Sequence, residues 1–160
     1  MEMAKGLLDE IKQRQPFRSP EEEAFLSVLR TAQLLSDAIE VLLAPSGISR
    51  PQYNVLRILR GAGPAGLGRN EIRDRLLTRM PDVTRLLDHL EAAGLVQRQR
   101  ASRDRRSVCA ALTAPGLALL DGLDAPVHDL LQRLLGHLPP DRLRDLSDLL
   151  LAVRQTSTTP

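Results

Sequence analysis

Apolar residues recur at helical spacing along most of the chain. Phe25, Val28, Leu29, Ala32, Leu35, Ile39 and Leu42 predict one long helix. The run "SPEE" opens it. Ser19 can cap, Pro20 suits the first helical position, and Glu22 closes a capping box. Ala44 to Gly47 ends it. Upstream, Leu7, Leu8 and Ile11 predict a short helix near Met3 to Arg14. Ser49 repeats the start signal, with Pro51 first and Gln52 closing the box. Val55, Leu56 and Leu59 then share a face. The Gly/Pro-rich run from Gly61 to Gly68 is a breaker. Ile72 and Leu76 mark a short helix. Val83, Leu86, Leu87 and Leu90 mark another, from Pro81 to Ala93, and Gly94 is placed to end it in the left-handed conformation.

After Gly94 the period changes. Leu95 to Arg100 and Ser107 to Leu112 read as extended segments joined by the polar tip "ASRDRR", which predicts a β-hairpin. Helical spacing returns with Leu117, Leu120, Leu123, Val127, Leu130, Leu131 and Leu134, until Pro139-Pro140. A last helix carries Leu143, Leu146, Leu149, Leu150 and Val153, and "TSTTP" reads as a frayed tail. The expected fold is mainly α with a small β-hairpin.

Two short helices joined by a turn, then a basic hairpin, make a winged helix-turn-helix pattern. The helix from Pro81 buries its leucines and offers Asp82, Thr84, Arg85, Asp88 and His89 on its other face. A helix fits the DNA major groove with its first turn nearest the base edges. Thr84 and Arg85 stand there. The hairpin adds Arg98, Arg100, Arg103, Arg105 and Arg106 against the single acid Asp104. A narrow minor groove attracts such arginines. A merely solvated charged hairpin is the plainer account of the charge run alone. Its place after a two-helix unit favours the DNA-binding account.

Composition narrows the classes. The chain has 160 residues, 42% hydrophobic and 26% charged, which suits one soluble domain or one core shared between two copies. Aromatics are 2%, so Leu, Val, Ile and Ala must build the core. Net charge is only +2, so local clustering of arginine matters more than the total. One cysteine allows no intrachain disulfide. There is no long apolar run to span a membrane and no signal peptide pattern, so a cytoplasmic location is expected. There is no phosphate-binding Gly-rich loop, nucleophile elbow or paired carboxylate, so no enzyme, cofactor or metal is expected.

The stretch "PDVTRLLDHLEAAGLVQRQRASRDRRSVCAALTAPG", Pro81 to Gly116, resembles the signature of the MarR (multiple antibiotic resistance regulator) transcription factors. "LSDAIEVLLAPSGISRPQYNVLRIL", Leu35 to Leu59, is similar to that family's first long helix and the helix after it. The resemblance runs from about Glu22 to Val153. It implies an obligate homodimer on a palindromic operator, often a repressor released by a small ligand or an oxidant. It also implies that Asp82, Thr84 and Arg85 begin the recognition helix. At the wing tip, Arg106 would enter the minor groove, oriented by Asp104. Two positions depart from the pattern. Ala101 stands where the wing usually opens with an acid, and Gly68 where Ser or Thr often caps the preceding helix.

The expected organisation is N-terminal dimerisation helices over 1–48, the DNA-binding unit over 49–113, and C-terminal dimerisation helices with the tail over 114–160. Leucine on more than one face of the terminal helices calls for a second copy, since an exposed apolar stripe is an interface or an error. An intrachain helical bundle is the competing account. A twofold dimer makes the partner double-stranded DNA with an inverted repeat. A small aromatic or phenolic effector would sit between the dimerisation helices and the winged unit, where Tyr53 could offer its hydroxyl. A packed core tyrosine is the plainer account. Cys109 reads as a small half-buried strand residue, although redox sensing is the alternative. His128 with Asp124 or Asp129 is a weak metal candidate. The function from a different class is a protein–protein or dimerisation module that keeps the fold without specific DNA binding.

Overall fold

The computed structural model describes residues 6–78, 82–100 and 108–156. The elements in order are α1 (Leu7–Glu10), α2 (Pro20–Leu43), a 3-10 turn (Ala44–Ser46), α3 (Arg50–Ala62) and β1 (Leu67–Gly68). They continue with α4 (Arg69–Arg75), α5 (Val83–Ala92), β2 (Val96–Arg100), β3 (Val108–Leu112), α6 (Ala114–Leu135) and α7 (Pro140–Thr156).

Starts and stops follow local chemistry. Ser19 accepts from the Glu22 N–H, and Pro20 follows it. The Glu22 carboxylate, expected to close the box on Ser19, accepts instead from the Arg18 N–H one residue earlier, at 2.6 Å. The Ser49 box forms as expected, with Gln52 Oε1 accepting from the Ser49 N–H at 2.8 Å. Pro51 takes the second helical position there rather than the first. Gly47 at φ 70° and Gly94 at φ 72° supply the left-handed turns that end their segments.

Helix α1 is much shorter than the helix expected over Met3–Arg14, whose first three residues lie outside the described ones. Lys12 turns to φ 54° and stops it. Leu7, Leu8 and Ile11 find no deep burial, and a short helix without packing is marginal in water. The tail after Thr156 lies outside the described residues.

The sheet has three antiparallel strands in the order β1-β3-β2, where a two-stranded hairpin was expected. The added strand pairs Leu67 with Ala110 and Gly68 with Cys109. Two residues in a Gly/Pro-rich run leave no alternation to read, so only tertiary pairing reveals the strand. Gly66 allows it. A Cβ there would lie 2.2 Å from the Ala110 carbonyl oxygen, and its φ is +68°.

Helix α3 lies at the centre. It packs on α2, α4, α5, α6 and β3. Leu43, Val55, Leu56, Leu59, Ile72, Leu90 and Leu120 are fully buried and draw α2 to α6 into one core. Fully burying one such side chain contributes roughly 1.5–3 kcal/mol. Helix α7 buries almost nothing among the described side chains, of which only Leu143 and Leu150 are half-buried. Among the described residues no helix is long and apolar enough to cross a membrane.

Candidate nucleic-acid interface

Helix α5 is amphipathic, and its sides separate cleanly. Val83, Leu87 and Leu90 are buried, whereas Thr84, Arg85, Asp88 and His89 are exposed. The core-facing leucines therefore hold the helix while its polar face looks outward. Asp82 caps it, accepting from the Arg85 N–H at 2.9 Å. The sequence reading placed Asp82 among the DNA contacts. The structure gives it a cap, which satisfies a free N–H and sets the direction of the first turn. An acid there also complements the positive end of the helix.

Arg98 was another expected DNA contact. On β2 it reaches back to α5, donating to Asp88 and, with its second arm, to Glu91 Oε2. The Glu91 carboxylate also accepts from the Arg98 N–H at 3.2 Å. The hydrogen bond to Asp88 pushes the guanidinium pKa up from its ordinary value. Arg98 is thus a brace between strand and helix. Its partners neutralise it, and it has less charge to offer a phosphate than an unpaired arginine. Arg100, at the end of β2, is exposed and pairs across the ladder with Val108. Arg103, Asp104, Arg105 and Arg106 lie outside the described residues, as does Ala101. Arg98 and Arg100 lie on the same ladder, paired with Ala110 and Val108.

Sequence reasoning missed Arg69. It opens α4, is exposed, and its Nη1 lies 3.3 Å from Thr84 Oγ1 on α5. Periodicity finds buried faces, and an exposed arginine at a helix start has no periodic signature. Gly68, the departure at the cap, has its N–H satisfied by Glu71 Oε2 at 2.9 Å.

Tyr53 is buried on α3, with Arg57 over its ring at 5.9 Å. It lies on the wall of a pocket of about 220 Å3. Leu35 and Ile39 of α2, Arg50 and Arg57 of α3, and Val127 and Leu130 of α6 are on the same wall. Leu77 and Thr78, in the connection that leads to α5, border it too. One turn beyond, Arg60 donates both arms to Asp124 at 2.8 and 2.9 Å and joins α3 to α6. That bond holds the Asp124 carboxyl below its ordinary pKa. Asp124, which the sequence reading weighed as a metal ligand, is therefore engaged by arginine. Cys109 is half-buried on β3.

Residues 48–108 match the MarR family. The HTH-type transcriptional regulator PrsX of Escherichia coli is 30% identical over 113 residues, 71% of this chain and 68% of that protein. A MarR transcription factor from Planctomyces limnophilus is 40% identical, with a TM-score of 0.64 over 86% of this chain and 99% of that one. A mutant MarR from E. coli complexed with operator DNA is 27% identical, with a TM-score of 0.71 over 93% of this chain and 99% of its own. With 40% identity to the Planctomyces limnophilus MarR factor sustained over nearly all of that chain, and the family match over residues 48–108, the chain belongs to the MarR family of transcriptional regulators.

Proposed function

We propose that the protein is a sequence-specific DNA-binding repressor. It acts as a homodimer on an inverted-repeat operator and is released by a small ligand. The observation that carries the DNA-binding reading is the exposed, capped first turn of α5, with Thr84 and Arg85 clear of the core. The arginine-rich connection between β2 and β3 follows it in the chain. A groove-reading helix and an arginine-rich segment can together contact base edges and neutralise phosphate. The similar E. coli chain complexed with operator DNA supports the same use of the fold.

The dimer is supported by apolar surface that one chain leaves uncovered. Phe25 and Leu29 on α2, and Leu149 on α7, are 63%, 52% and 67% exposed. At roughly 25 cal/mol per Å2, a second copy gains by covering them. The release step is supported by the pocket between α2, α3 and α6. Its apolar wall suits an aromatic or phenolic body. Arg50 and Arg57 add guanidinium groups to its lining, Arg50 with its Nε 3.7 Å from Glu40 Oε1, and can meet an acceptor group on the ligand. Leu77 and Thr78 tie pocket occupancy to the segment entering α5.

The experiment is selection of duplexes from a random pool by the purified chain, followed by Arg85→Ala. The variant is expected to lose at least about fivefold more affinity for the selected duplex than for random DNA, the cost of one lost base contact. Equal losses on both would make Arg85 a backbone contact. Selection that enriches nothing would leave the chain an interaction module on a winged fold.

A further inference from the structure

We propose that Arg69 determines part of the base preference by holding the Thr84 hydroxyl of α5, so that Thr84 reads a hydrogen-bond acceptor in the major groove. This inference rests on the DNA-binding reading and deepens it. Arg69 is the first residue of α4, fixed in place by the Gly68–Glu71 bond at 2.9 Å. Its Nη1 donates to Thr84 Oγ1 at 3.3 Å and ties the two helices of the helix-turn-helix through their exposed side chains.

A threonine hydroxyl carries one donor and two lone pairs, and left alone it rotates to suit either kind of partner. A cation on the oxygen removes one accepting site and polarises the O–H toward donation. Base edges that offer acceptors, such as guanine O6 and N7 or thymine O4, then suit Thr84. The amino groups of adenine and cytosine suit it poorly. Arg98 lies in the same depression beside Thr84 and Arg69. Asp88 and Glu91 occupy it, so it does not compete for the hydroxyl. The remaining donors of Arg69 are exposed and can meet a phosphate. Arg69 therefore has two separable effects, one uniform over all DNA and one confined to the base under Thr84.

The test compares the wild type, Arg69→Met, Thr84→Val and the double variant on a duplex selected by the wild type and on a scrambled duplex. The readout is the ratio of the two affinities, which cancels uniform phosphate binding. Methionine keeps the stem and the helix propensity while removing every donor. Each single variant is expected to lower the ratio about fivefold, with the loss confined to one position per half-site. The double variant is expected to lower it no further than either single one. An unchanged ratio for either single variant, or a double loss equal to the product of the two, overturns the inference. In that event a wild type that still discriminates leaves the DNA-binding reading standing. A wild type that binds no duplex overturns both.

Discussion

Gly116→Ala is expected to destabilise the protein by about 2–3 kcal/mol, a typical cost of forcing atoms into filled space. A Cβ at Gly116 would stand 2.1 Å from the Leu95 carbonyl oxygen and 3.0 Å from its carbon. That carbonyl cannot step aside freely, because it accepts from the Thr113 N–H at 3.2 Å. The Thr113 hydroxyl donates to Gly94 O at 2.6 Å and accepts from the Gly116 N–H at 3.2 Å. These bonds join the end of α5, the start of β2 and the start of α6 within a few residues. The winged unit is thereby held to the helix that leads into the C-terminal pair. Thermal melting should show a fall of about 4–12 °C for a chain of this size. Gly122→Ala is the control. Its Cβ would meet nothing within 4 Å, and alanine is the better helix former, so its melting point should hold or rise. Equal melting points for the two variants would mean that α6 does not approach Leu95 so closely.

Replacing Arg103, Arg105 and Arg106 together by alanine is expected to have the largest effect on DNA binding. Each arginine that neutralises a phosphate contributes about 0.9 to the slope of log affinity against log salt. Three in each of two protomers should flatten that slope by roughly 2 to 5 units, depending on how many meet phosphate and how many enter the minor groove. At about 0.15 M salt the affinity for any duplex should fall at least about a hundredfold. An unchanged melting point, measured alongside, would show that the loss is of binding and not of folding. A slope unchanged within about half a unit would remove the wing from the interface.

Most of the helical frame is legible in the sequence because burial and capping both leave periodic or local marks. Leu56 and Leu59 announce the core face of α3, and Ser49 with Gln52 announces its start. Gly94 is legible for the same reason, since only a left-handed position favours glycine there. What depends on a partner distant in sequence is not legible. Strand β1 is two residues long and exists through Ala110 and Cys109. The brace from Arg98 to Asp88 and Glu91 has no mark in the sequence, and only the fold brings those groups together. Arg69 and Thr84 are 15 positions apart, and nothing in the spacing pairs them. The role of Gly116 lies between these cases. It falls inside the stretch that resembles the family signature, while its cause, the Leu95 carbonyl, is visible only in space.

In the proposed complex two copies present two α5 helices to successive turns of one duplex face. Its most direct test is binding of the purified chain to a selected inverted repeat and to the same repeat with about 5 base pairs inserted between half-sites, half of one helical turn. The account predicts one dimer bound to the intact repeat. The insertion should reduce the affinity to that of scrambled DNA, because the second half-site rotates to the opposite face. Equal binding to the intact, lengthened and scrambled duplexes would contradict it.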